Sequence, residues 1–218
     1  MSGIVGILLA AGRGRRFDPL GQRNKLLERI DGEPVVVHSA RNMLAALPRV
    51  VAVVRVGEDA VAAQLAALGC EVTVCADADT GMAASLVHGL RYASDPANDP
   101  ANDPAQGWVV ALGDMPRVRP ATIAALARAV EEGADIAVPV LGTGGSTDHD
   151  KEGDRESGKE GGKKRGNPVA FGRRHLPQLL ALTGDRGARG IVRDNIVNEV
   201  AVDDPGILLD IDTPPDLQ

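Results

Sequence analysis

The stretch Ile4-Val5-Gly6-Ile7-Leu8-Leu9-Ala10-Ala11-Gly12-Arg13-Gly14-Arg15-Arg16-Phe17 decides the fold class. Its first six residues form a short apolar run without polar alternation, which predicts a strand buried on both faces. The run passes into small residues and then glycines interleaved with arginines, so the strand ends in an exposed loop.

Working outward, the same rhythm returns. Helical spacing covers Pro34–Leu47 and stops before Pro48. Val50–Val56 is β-branched and reads as a strand, Glu58–Leu68 as a helix ended by Gly69, and Glu71–Cys75 as a third strand. A helix is expected over Met82–Tyr92, a strand over Trp108–Leu112, a helix over Pro120–Glu132 and a strand over Asp135–Leu141. Further on, Val169–Phe171, Val197–Val202 and Ile207–Ile211 read as strands, and Arg173–Leu182 and Gly187–Asp194 as helices. Strands alternating with helices predict an α/β fold with a mainly parallel sheet. The 218 residues fit one domain, 1–218. Aromatics are only 2%, so the core must come from Val, Leu, Ile and Ala.

Two stretches stand outside this rhythm. Residues 95–106 repeat DPAN, DPAN, DPAQ, whose prolines forbid helix and predict a surface loop. Residues 142–165 contain almost no apolar side chain and read as a disordered insert, with Lys163-Lys164-Arg165 placed to reach an anionic ligand. The formal charge of −6 and pI near 5.2 argue against a nucleic-acid partner. Cys70 and Cys75, five apart in an extended segment, fall on opposite faces as buried free thiols. The arginines follow the first apolar run instead of preceding it, the wrong order for export, and no segment reaches transmembrane length. A soluble, cytoplasmic protein is expected.

The chemistry begins in the loop. Gly12 and Gly14 leave backbone amides uncovered, and amides turned into one concavity bind phosphate oxygens. Arg13, Arg15 and Arg16 can add charge-assisted hydrogen bonds, and Lys25 another point charge. No G-x-x-x-x-G-K-[ST] occurs, and Phe17 takes the place of the third glycine of a dinucleotide fingerprint. An ordinary turn with solvated arginines is the alternative. Asp114 follows the strand Trp108–Leu112, and Asp212 follows the expected strand Ile207–Ile211. Carboxylates at strand ends can hold one Mg²⁺ with triphosphate oxygens. Each alone also reads as a helix cap ahead of Pro116 or Pro214.

Leu9–Phe17 with Asn24-Lys25-Leu26-Leu27, Thr80–Leu86, Ala111–Pro116, Gly166–Val169 and Asp210–Pro214 together resemble the MobA-like NTP transferase family, most closely its molybdenum-cofactor cytidylyltransferases. The resemblance implies a Rossmann-like three-layer α/β sandwich of nucleotide-diphospho-sugar-transferase type, its mainly parallel sheet carrying some mixed strands. It implies that Leu9, Ala10, Ala11, Gly12, Arg13, Gly14 and Arg16 bind the nucleotide, and that Lys25 holds its phosphates. Gly81 to Ser85 would approach base and ribose. Arg13, Lys25 and Asp114 would be catalytic, with Asp114 and Asp212 on Mg²⁺. Gly166, Asn167 and Pro168 would meet the acceptor, as would Gly184–Arg189. Ala10-Ala11 resembles the cytidylyl branch, where guanylyl relatives tend to have Ala-Gly-Gly, and so points to CTP over GTP.

The reaction so implied moves CMP from CTP to the terminal phosphate of molybdopterin, a phosphorylated pterin, with a molybdoenzyme as recipient of the finished cofactor. A phosphate monoester needs no strong base to attack, so His38, His88, His149 and His175 need no catalytic role. His175 lies nearest the acceptor segment in sequence. Guanylyl transfer, transfer to a sugar or polyol phosphate, and a non-catalytic cofactor chaperone are the competing readings.

Overall fold

The computed structural model describes residues 3–98, 104–142, 163–185 and 187–218. Residues 99–103 of the DPAN repeat and most of the expected disordered insert lie outside the described residues. In chain order the elements are β1 (Ile4–Leu9), β2 (Arg29–Ile30), β3 (Glu33–Pro34), α1 (Val35–Ala46), β4 (Val50–Arg55), α2 (Asp59–Ala67), β5 (Glu71–Cys75) and α3 (Met82–Ser94). There follow β6 (Gly107–Leu112), α4 (Pro120–Glu131), β7 (Ile136–Leu141), β8 (Lys164–Arg165), β9 (Val169–Gly172), α5 (Leu176–Leu180), α6 (Arg189–Asp194) and β10 (Asn198–Val202).

An eight-stranded sheet runs in the order β10-β7-β9-β6-β1-β4-β5, with β8 beside β7. Strands β1, β4, β5 and β6 are mutually parallel, and β9 runs antiparallel between β6 and β7. The chain leaves β1 toward β4 and β5, then returns to lay β6 on the other side of β1. That reversal is a topological switch point, where open α/β sheets bind ligands beyond the carboxyl ends of their strands. Leu9 and Leu112, the last residues of β1 and β6, are register partners there.

Each face of the sheet is covered. Val50, Ala52 and Val54 pack with α1, α2 and α4, while Val51 and Val53 pack with α3, α5 and α6. The apolar run of β4 therefore serves two cores at once. Cys70 and Cys75 divide between these cores as expected, and burial pushes the Cys70 thiol up to about 11. No described helix is long and apolar enough to cross a membrane.

Several expectations are corrected. Ile207–Ile211 is not a strand: Pro205–Leu208 forms a turn of 3₁₀ helix and residues 209–213 continue without regular structure. Asp204 drives this, because its side chain accepts the Gly206 amide and holds the turn. Lys164-Arg165, assigned to the disordered insert, instead pairs with Val140-Leu141 as β8. Lys163 and Arg165 pair with Glu199 of β10, at 3.4 and 2.8 Å. The start of the DPAN repeat forms one 3₁₀ turn, Pro96–Asn98, since proline is tolerated at the first position of a helical turn. Arg173–Leu182 is not one helix but a 3₁₀ turn, Arg173–His175, followed by the short α5. The hairpin of β2 and β3 was missed, although Asp31-Gly32, both at positive φ, is the turn signal for it.

The C-terminal arm is tied to the start of α4 by a buried carboxylate. Asp204, 1% exposed, accepts hydrogen bonds from the Arg119 amide at 2.8 Å, the Thr122 hydroxyl at 2.6 Å and the Gly206 amide at 3.0 Å. Further along, the Ile211 amide donates to the Asp114 carbonyl at 2.9 Å. Replacing Asp204 by Ala strands three donors, so the variant should lose roughly 2 kcal/mol or more of stability in urea unfolding. An unchanged midpoint would show that the arm is held by other contacts.

Candidate active site

At the switch point the chain builds a cleft of about 530 Å³. Its floor is the carboxyl end of β1 and β6, and its rim is the loop from Ala11 to Phe17. The amide of Ala10 is used by the Val53 carbonyl, but the amides of residues 11–16 make no hydrogen bond with described residues. Gly14 sits at φ +60° and Gly12 has open space around its Cα, so the chain turns with its N–H groups uncovered. After the turn, Asp18 gathers the amides of Leu20, Gln22 and Arg23, which returns the chain toward Lys25.

Lys25 is 8% exposed and reaches the end of β6. Its Nζ lies 2.5 Å from Asp114 Oδ2, 3.0 Å from the Ile211 carbonyl and 3.6 Å from Asp212 Oδ1. Here the two aspartates meet: Asp114 two residues beyond β6, Asp212 on the arm beside it. Neither is a helix cap. The 3₁₀ turn Pro214–Leu217 is capped by Thr213 and Asp216, and α4 begins only at Pro120. Asp114 Oδ1 is buried with no hydrogen-bond partner. Burial first, then the Asp212 and Asp114 carboxylates, push the Asp210 carboxyl up. The negative charge here exceeds what Lys25 balances, and a buried carboxylate oxygen is left open. Such a pair fits a divalent cation that keeps few protein ligands. No group of three or more His, Cys, Asp or Glu side chains able to hold a metal occurs among the described residues.

Arginines of the loop are also engaged. Arg13 forms a two-pronged pair with Asp79, and its hydrogen bond holds the Asp79 carboxyl below the usual range. Arg16 meets Asp212 at 2.5 Å. Both arginines stay exposed to solvent while paired.

Of the residues expected at the nucleotide, Leu9, Ala11, Gly12, Arg13, Gly14, Arg16, Lys25, Gly81 and Ser85 line the cleft. Ala10 does not; it is 2% exposed and belongs to the core beneath the loop. Gly166, Asn167 and Pro168 do not line it either. Their backbone is spent on structure: the Gly166 amide donates to Pro139 and the Asn167 amide to Ile207. His175 is displaced further. Because β9 is antiparallel, Gly172 pairs with Gly107 at the start of β6, so His175 follows at the opposite end of the strands from the cleft. There it is buried, with Nδ1 3.1 Å from Gln178 Oε1.

Sequence reasoning gave no role to Asp79 and Asp210, both of which line the cleft. It left the contacts of the 184–189 segment open. That segment lies over the start of α3, where the Gly184 carbonyl accepts the Ala83 amide at 3.1 Å. Gly81, at φ +135°, permits the approach, because a Cβ there would stand 2.5 Å from the Gly184 oxygen. Asp185 and Arg189 thereby become part of the cleft wall.

Residues 6–200 match the model of the MobA-like NTP transferase domain. No curated protein matches the chain. Among solved structures, Rv0371c from Mycobacterium tuberculosis H37Rv is 28% identical, with a TM-score of 0.71 over 98% of this chain and 95% of that one. The manganese complex of Rv0371c is 27% identical, with a TM-score of 0.67 and coverage of 98% and 95%. A nucleotidyl transferase from Methanothermobacter thermautotroptrophicus is 26% identical, with a TM-score of 0.70 and coverage of 98% and 93%. With free amides, a buried lysine and paired carboxylates gathered at the switch point of this sheet, the chain belongs to the MobA-like NTP transferase domain family and is a nucleotidyltransferase.

Proposed function

We propose that the enzyme moves CMP from CTP onto the terminal phosphate of molybdopterin, or its molybdenum form, and releases pyrophosphate. The observation that carries this reading is the gathering of the loop 11–16, Lys25, Asp114 and Asp212 around one cleft, with the loop amides unbonded to described residues. A triphosphate laid on the loop meets N–H donors first and cations next. Arg13 and Arg16 exchange their internal carboxylates for phosphate oxygens, which offer the same bidentate geometry with more charge. Lys25 stands below, where charge develops on the departing pyrophosphate.

The acceptor oxygen attacks the α-phosphorus in line, forming one P–O bond as the bond to the bridging α–β oxygen breaks. Pyrophosphate keeps that oxygen and its electron pair. The attacking phosphate monoester is already anionic near neutral pH, so the absence of a histidine from the described cleft lining creates no difficulty. Positioning and charge neutralisation are what the site supplies. Asp114 and Asp212 would hold Mg²⁺, which when bound neutralises charge on the reacting phosphates. The manganese held by the Rv0371c relative supports a divalent ion here.

Ala11 supports CTP. It is 6% exposed, lines the cleft, and occupies the place where guanylyl relatives tend to have glycine. A methyl at that position leaves less room for a two-ring base.

Thermal unfolding with CTP, GTP, ATP or UTP, each with Mg²⁺, tests the nucleotide, since a ligand bound only by the native state raises the midpoint. CTP is expected to give the largest shift, followed by CMP transfer to molybdopterin. A larger shift with GTP would overturn the base assignment, and pterin binding without turnover would favour a carrier. Lys25→Met should lower kcat/KM for the NTP on the order of 100-fold. Unchanged steady-state kinetics would remove Lys25 from the phosphate site.

A further inference from the structure

The reaction brings two anions into one cleft, a triphosphate and an acceptor phosphate, and each needs its own positive charge. On the loop wall Arg13 is paired with Asp79, Arg16 with Asp212, and Lys25 with Asp114. Those cations converge with the free amides and belong to the triphosphate. Arg15 stands on the same loop, and its charge bears on Asp79. The expected acceptor segment, 166–168, offers no cation and stays outside the cleft.

One cation of the cleft lies elsewhere. Arg189 comes from the segment over the start of α3, and it makes no hydrogen bond or ion pair with a described residue. Its backbone is nonetheless held in place. The Gly184 carbonyl is fixed on the Ala83 amide, Gly81 leaves room for the close approach, and Ile191, one turn into α6, is buried beside Leu179. Asp185 of the same segment also lines the cleft, with no hydrogen bond or ion pair to a described residue. An anchored backbone carrying an unspent guanidinium into a substrate cleft is a ready fork for a phosphate monoester.

We propose that Arg189 binds the terminal phosphate of the acceptor and holds it apart from the cations of the NTP loop. This rests on the reading of the acceptor as a phosphorylated compound. Two anions brought to contact distance repel each other, so a separate cation for the second is what lets it approach.

Steady-state kinetics with CTP and molybdopterin test this in Arg189→Gln. The KM for molybdopterin should rise roughly 10-fold or more while the KM for CTP stays within about twofold, and Arg189→Lys should recover part of the loss. An equal rise in both constants, or no change in the acceptor constant, would overturn the assignment. A second arm needs no acceptor: inorganic phosphate is titrated into protein saturated with α,β-methylene-CTP and Mg²⁺. The wild type should bind phosphate and Arg189→Gln should bind it at least about 10-fold more weakly. Equal binding by both, or none by the wild type, would overturn the proposal. Should the wild type fail to use molybdopterin, the functional reading above falls, while the phosphate titration still decides the role of Arg189.

Discussion

A lysine ammonium buried between two aspartates is the constraint around which this molecule is arranged. Lys25 touches Asp114 at 2.5 Å and lies 3.6 Å from Asp212, with the Ile211 carbonyl at 3.0 Å. None of these groups can be withdrawn from water at tolerable cost unless the others are present. Asp114 must follow β6, Asp212 must be carried by the C-terminal arm, and Lys25 must be returned by the loop after β1. The sheet order that places β6 beside β1, and the Asp204 anchor that directs the arm, both serve that meeting.

The same cluster also shows how the site is kept ready without substrate. Arg13 and Arg16 are satisfied by Asp79 and Asp212. These pairs are exposed and individually weak, so exchanging them for phosphate costs little. The Lys25 contacts are buried and hold their geometry. Arg13 and Arg16 can therefore yield to a substrate while the lysine and its carboxylates remain set.

Much of this could be read from the chain. The unbroken apolar run Ile4–Leu9 announced a strand covered on both faces, the β-branched run Val50–Val56 announced another strand, and the glycines after β1 announced uncovered amides. What failed is equally physical. Ile207–Ile211 carries the apolar content of a strand, but Asp204, anchored on Arg119 and Thr122, holds Pro205–Leu208 in a 3₁₀ turn through the Gly206 amide. Ala10 stands in the loop motif yet belongs to the core, because register with β4 uses its amide. His175 is close to the acceptor segment in sequence, but the antiparallel direction of β9 carries it to the far end of the strands. Asp79 gave no signal beyond being acidic, and Asp210 stood in a motif whose reading fell on Asp212; the folded cleft gives both their neighbours.

Transfer in this cleft depends on the charge of Asp114, one oxygen of which is buried without a partner. Asp114→Asn keeps the shape of that side chain and removes its charge. Pyrophosphate release from NTP and acceptor, measured beside circular dichroism of the same preparation, is the most direct test. An intact fold with release lowered on the order of 100-fold or more is the predicted result. Near-normal release from the folded variant would contradict the account.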